Sequence, residues 1–96
     1  MSEAQQRCIE TRRLLNDGGR LLDVRTQGEF SAGALDGAFN LPLQEIHRAD
    51  ALLDRDTPLV VYCGTGMRSN QAKTFLQSMG FDTVHDLGGF NNIQHC

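Results

Sequence analysis

No run of roughly 18 apolar residues occurs in this chain, which excludes a membrane-spanning helix as a reading of the sequence. The opening segment Met1-Ser2-Glu3-Ala4-Gln5-Gln6-Arg7 lacks the apolar stretch of a secretory leader, so the expected compartment is the cytoplasm. Nine lysines and arginines, unclustered, stand against twelve acidic residues, for a net charge of −3. A phosphate-binding face needs several cations together, so nucleic acid is not an expected partner. The three cysteines, Cys8, Cys63 and Cys96, form no Cys-x-x-Cys pair, and an odd number of thiols in a reducing compartment speaks against a disulfide framework. His47, His85 and His95 show no ligand spacing with them, so no metal and no cofactor are expected.

What is present fits one small domain over residues 1–96, with an ordinary 40% of hydrophobic residues and a core that must be used economically at this length. A helical pattern carrying Ile9, Leu14 and Leu15 runs to Asn16 and stops at Asp17-Gly18-Gly19. Leu21 to Val24 reads as a short buried strand. Thr26 with Glu29 three residues later has capping-box spacing and starts a short helix that ends before Gly33. Phe39 to Leu41 is a second strand, broken by Pro42, and a helix is expected over Leu43 to Leu53 with Ile46, Ala49 and Leu53 inward. Asp54 to Pro58 is a turn.

Leu59-Val60-Val61-Tyr62 has no polar alternation, as expected of a central strand covered by helices on both faces. Ala72, Phe75, Leu76 and Met79 then give a helical stripe, Gly80 suits its C-terminal cap with Phe81 packing back, and Thr83 to His85 is a last short strand. Strands alternating with helices predict an α/β fold, a small parallel-stranded sheet with helices on both faces. Ligands in such sheets bind beyond the carboxyl ends of the strands, where Cys63 lies.

The segment Cys63-Gly64-Thr65-Gly66-Met67-Arg68-Ser69 joins the central strand to the following helix. Glycines reach the backbone conformations of a nest of inward-pointing N–H groups at least cost, and the helix adds its positive end. A thiolate is the nucleophilic form of cysteine and is favoured in such surroundings, so sulfur chemistry is predicted at Cys63. Arg68 opposes the helix dipole and therefore asks for an anionic partner. Ser69 reads as an N-cap and supporting donor, Thr65 as a further hydroxyl, and Met67 as a rim residue that either packs or sets acceptor preference. Asp23 and Arg25 sit at the carboxyl end of the neighbouring strand as supporting residues. Cys8 reads as half-buried filler and Cys96 as terminal.

Leu21-Leu22-Asp23-Val24-Arg25, Glu29-Phe30, Gly37 to Leu43, Cys63 to Ser69 and Gly88-Gly89-Phe90 together resemble, in that order, a single rhodanese domain over Leu14 to Phe90. The resemblance implies a sulfurtransferase in which Cys63 takes the outer sulfur of a donor such as thiosulfate, releases sulfite, and passes the sulfur to a thiol or cyanide. It implies that the amides from Gly64 to Ser69 surround the persulfide, that Arg68 holds the donor's oxyanion, that Asp23 braces the reactive loop and that Arg25 pairs with Glu29. The partners would be a small sulfur compound, an acceptor thiol or a partner protein's persulfide, with the chain a monomer or homodimer. Two positions depart from the family pattern. Ala34 stands where a histidine is frequent, and Phe90 where a tryptophan is frequent, which keeps apolar cover and loses an N–H donor.

Two other functions fit part of the pattern. A phosphatase or arsenate-reductase-like enzyme would use Cys-x5-Arg around a tetrahedral oxyanion, but that spacing lands on Ser69, whereas Arg68 makes a tighter Cys-x4-Arg ring. A non-catalytic rhodanese-like binding module would be expected to lack the cysteine.

Overall fold

The computed structural model describes residues 1–93. Helix α1 (Glu3–Asn16) opens with a capping box in which Ser2 Oγ accepts from the Gln5 amide and Gln5 Oε1 from the Ser2 amide. Strand β1 (Arg20–Asp23) follows, then α2 (Gln27–Ala32), capped by Thr26 and Glu29 as their spacing predicts. Strand β2 (Phe39–Asn40) is one residue shorter than expected. The expected helix over Leu43 to Leu53 is two pieces, a 3-10 segment (Leu43–Arg48) and one α turn, α3 (Ala49–Leu52). Ile46 and Ala49 are buried there, while Leu53 is only half-buried. Then come β3 (Leu59–Cys63), α4 (Met67–Ser78), β4 (Val84–Gly89) and a terminal turn, α5 (Phe90–Ile93).

Among the described residues, all four strands are parallel, in the order β2-β1-β3-β4, and no helix is long and apolar enough to cross a membrane. Side chains alternate across β3, so its two faces feed two cores. Val61 and Cys63 join Leu22, Val24, Leu41, Ala72 and Leu76 under α4, while Val60 and Tyr62 join Leu14, Leu21, Leu87 and Ile93 on the side of α1 and α5. Every residue of β3 is buried. At roughly 1.5–3 kcal/mol for each large apolar side chain removed from water, this strand anchors both layers.

The C-terminus of α4 is closed by Gly80 (φ +101°): Gly80 N–H donates to Gln77 O and Phe81 N–H to Leu76 O, both at 3.1 Å, and Phe81 is buried beneath. Two expected apolar positions face out instead, Ile9 at 49% and Phe75 at 54% exposure. The buried stripe of α4 is Ser69, Ala72 and Leu76, because Ser69, the third residue of the helix, lies against the Cys63 sulfur. Strand β4 runs four residues past the expected His85 and contains a bulge: Val61 pairs with Asp86 but Tyr62 with Gly88, leaving Leu87 as the extra residue.

Candidate active site

Cys63 is the last residue of β3, and alternation along the strand aims its side chain under the start of α4. The Gly66 amide donates to Cys63 Sγ at 2.9 Å, which is possible because Gly66 adopts the left-handed conformation (φ +101°, ψ −11°) and turns the loop back over the sulfur. Cys63 Sγ–H donates to Ser69 Oγ at 3.5 Å, and Ser69 Oγ–H donates to Gly66 O at 3.1 Å. Ser69 is therefore not the N-cap. Gly66 holds that position without a side-chain bond, and Ser69, at the third helical position and fully buried, ties the loop together beneath the sulfur. Thr65 and Met67 stand outward, Met67 at 74% exposure, and Gly64 is half-buried.

The floor of the loop comes from β4. The bulge carries Gly88 into positive φ (+104°), with its amide bonded to Asp86 Oδ1 at 3.0 Å, and sets Gly89 beside Cys63. A Cβ on Gly89 would lie 2.8 Å from Gly64 O and about 3 Å from the Thr65 backbone, so only glycine lets the loop approach this closely. Composition hides this role, since Asp86 and two glycines do not read as strand.

The charged residues pair differently from the resemblance. Arg25 does not pair with Glu29. Its Nη2 donates to Asp23 Oδ2 at 2.7 Å and to Gly33 O at 2.6 Å, its Nε reaches both Asp23 oxygens, and its Cζ lies 4.4 Å from the centre of the Phe90 ring. Asp23 also accepts from the Arg25 amide, so the bonds of its carboxylate to Arg25 hold that side chain rather than the reactive loop. Glu29 instead takes Arg68 in a two-pronged contact, Nη1 to Oε1 at 2.6 Å and Nη2 to Oε2 at 3.0 Å. Hydrogen bonding from Arg68 lowers the Glu29 carboxyl to about 2, and Glu29 raises the Arg68 guanidinium in turn. From sequence Glu29 reads as a helix cap and, by the resemblance, as the partner of Arg25; its reach across to α4 needs the fold.

The Cys63 sulfur is covered, since the residue has no exposed surface. A groove of about 540 Å³ beside α2 and β2, lined by Phe30, Phe39 and Arg48 among others, includes none of residues 63–69 and is separate from this site. Cys63 is the free cysteine among the described residues. Cys8, half-buried on α1, is disulfide-bonded and not mere filler, contrary to the expectation of no disulfide framework; Cys96 lies outside the described residues.

The chain is similar to known proteins over most of its length. The rhodanese-like domain matches residues 9–96. The chain is 36% identical over 74 residues to the thiosulfate sulfurtransferase PspE of Escherichia coli, spanning 75% of this chain and 71% of that protein. It is 40% identical over 73 residues to the thiosulfate sulfurtransferase GlpE of Shewanella oneidensis, spanning 75% and 72%. Among solved structures, the human single-domain sulfurtransferase TSTD1 superposes with a TM-score of 0.75 at 31% identity, covering 86% of this chain and 88% of that one. A rhodanese from E. coli solved with anions superposes with a TM-score of 0.72 at 36% identity, covering 78% and 91%. With a match over most of its length and a parallel sheet that delivers its cysteine to the mouth of a helix, the chain belongs to the rhodanese-like domain family.

Proposed function

We propose that the protein is a sulfurtransferase acting through Cys63, as one domain over residues 1–96. The observation that carries this reading is the Gly66 amide on Cys63 Sγ at 2.9 Å, at the end of the central strand and the start of α4. Names of relatives support the same activity. In the first half-reaction the Cys63 thiolate forms a bond to the outer sulfur of thiosulfate, and the sulfur–sulfur bond of the donor breaks with its electron pair leaving on sulfite. Cys63 then carries a persulfide whose terminal sulfur bears the negative charge. In the second, an acceptor thiolate or cyanide bonds to that terminal sulfur and Cys63 departs as thiolate, ready for another donor.

The first-turn amides of α4 have no partner within their own helix and are the natural donors to the terminal sulfur, with Gly64, Thr65 and Gly66 shaping the ring and Met67 at its rim. Arg68 supplies the cationic fork for an oxyanion. Since Cys63 has no exposed surface, a donor reaches its sulfur only once the cover over it opens. Partners on this reading are a small sulfane-sulfur donor and an acceptor thiol, free or on a protein, with no nucleic acid or membrane involved and the chain a monomer or homodimer. The compartment we assign is the cytoplasm, where the Cys8 disulfide would be kept reduced; thiol trapping of Cys8 in cells tests this, because a disulfide that persists there points to an oxidising compartment instead.

Intact mass spectrometry after thiosulfate treatment tests the core of the reading. The native chain is expected to gain one sulfur and Cys63→Ser none. Turnover of p-nitrophenyl phosphate with no sulfur gain would replace sulfur transfer by phosphatase chemistry.

A further inference from the structure

Arg68, the residue best placed to grip a donor's oxyanion, is already gripping a carboxylate. Both its Nη atoms are engaged by the two oxygens of Glu29, 39 residues away in sequence, in the fork-to-fork geometry a sulfonate would also use. The pair lies against the reactive loop: a Cβ on Gly64 would sit 3.0 Å from Arg68 Nη2 and 3.5 Å from Glu29 Oε2, one residue from Cys63. It is also open to water, with side-chain exposures of 33% for Arg68 and 38% for Glu29, so an ion from solution can compete for it. Ion pairs at this exposure are weak and exchangeable.

We propose that Glu29 is a built-in counter-anion at Arg68, with which an oxyanion-bearing donor must exchange, and that this makes the site selective for sulfane donors without an oxyanion, such as organic persulfides. The proposal rests on the sulfurtransferase reading and specifies its donor class. Thiosulfate reaches Arg68 only by displacing the Glu29 carboxylate, which must then stand beside a dianion. A persulfide on a carrier lacking an oxyanion leaves the Glu29–Arg68 pair intact. Glu29 is thus a specificity-determining residue, while the transferred sulfur still meets Cys63.

Glu29 has a second task, and the test must preserve it. Its Oε1 accepts from the Thr26 amide and hydroxyl, both at 3.2 Å, in the capping box of α2. Glutamine serves that box equally well, so Glu29→Gln removes the charge and keeps the cap. Thiosulfate is titrated calorimetrically into Cys63→Ser and into Cys63→Ser with Glu29→Gln, both checked for native circular dichroism. The expected result is tightening by about two- to fivefold on loss of the carboxylate, the scale of a half-exposed ion pair. Equal or weaker binding overturns the proposal and leaves Glu29 as a helix cap. Because this reads binding and not turnover, it stands apart from the sulfur-gain experiment on the native chain. In that chain, Glu29→Gln is further expected to lower KM for thiosulfate more than KM for 2-hydroxyethyl persulfide, whose carrier is uncharged; a parallel fall in both KM values overturns the selectivity.

Discussion

Asp23 and Arg25 form a buried ion pair across two residues of chain, with Nη2 to Oδ2 at 2.7 Å and side-chain exposures of 0% and 6%. Successive residues past the end of β1 alternate sides, so Asp23 and Arg25 fall on the same side and close on each other. The guanidinium then ties three parts of the molecule together, reaching Gly33 O after α2, the Phe90 ring at 4.4 Å and the Tyr62 ring at 5.7 Å.

Breaking that pair from one side is expected to be costly, because the remaining charge stays buried without compensation. Arg25→Ala is expected to lose about 3–5 kcal/mol in urea unfolding. Arg25→Met with Asp23→Asn, which removes both charges, should recover much of that loss; a double variant no more stable than Arg25→Ala would contradict the ion-pair account.

Gly66 and Gly89 shape the loop for different reasons, and their alanine variants should fail differently. At Gly66 there is space, the nearest atom being Gly89 N at 3.8 Å, but φ is +101°. Gly66→Ala should therefore cost roughly 1–2 kcal/mol of backbone strain. At Gly89 the backbone is ordinary and the space is absent, with Gly64 O at 2.8 Å from the added carbon. Gly89→Ala is expected to push the loop off β4 at about 1–3 kcal/mol and to depress kcat at least as much as Gly66→Ala. Thermal unfolding with thiosulfate assays on both variants checks the order.

Ser69 is buried and holds Gly66 O at 3.1 Å while accepting from Cys63 Sγ at 3.5 Å. Ser69→Ala removes the hydroxyl from beneath the sulfur and should lose about 1 kcal/mol of stability, typical of one hydrogen bond. A lower kcat is expected with it, as the Gly66 amide loses its fixed aim. Full activity in Ser69→Ala would show that the loop keeps its shape without this bond.

Tyr62 carries an alkaline signature. Burial raises its phenol from 10.0 to about 12, and its oxygen accepts from the Leu35 amide at 3.1 Å. A folded-state value above the unfolded one gives stability that is complete below pH 10 and is lost as pH rises toward about 12. Unfolding free energies measured across that window should fall for the native chain and fall less for Tyr62→Phe. Identical slopes would remove Tyr62 from the alkaline limb.

Much of the architecture was legible because its signals are local. The Thr26–Glu29 cap, the Gly80 stop with Phe81 folding back, and the all-apolar run of β3 each depend on residues within a turn or strand of one another. Periodicity misled where tertiary position overrode it. Phe75 and Ile9 fit an apolar stripe by spacing yet point outward, and the small, polar Ser69 takes the inward place because the sulfur lies there. The end of β4 was illegible for a related reason, since Asp86, Gly88 and Gly89 form strand by pairing with Val61, Tyr62 and Cys63 and not by preference.

By itself the amino-acid order determined the succession of strands and helices, the placement of Cys63 at a strand end, and the glycine loop that turns into α4. Only the folded chain decided which carboxylate each arginine takes. Asp23 and Glu29 are chemically near-equivalent partners for Arg25 and Arg68, and charge attraction alone does not choose between them. Strand alternation buries Arg25 beside Asp23, while the fold brings Glu29 of α2 to Arg68 of α4 across 39 residues, and distance in space, which no local pattern encodes, selects the pair.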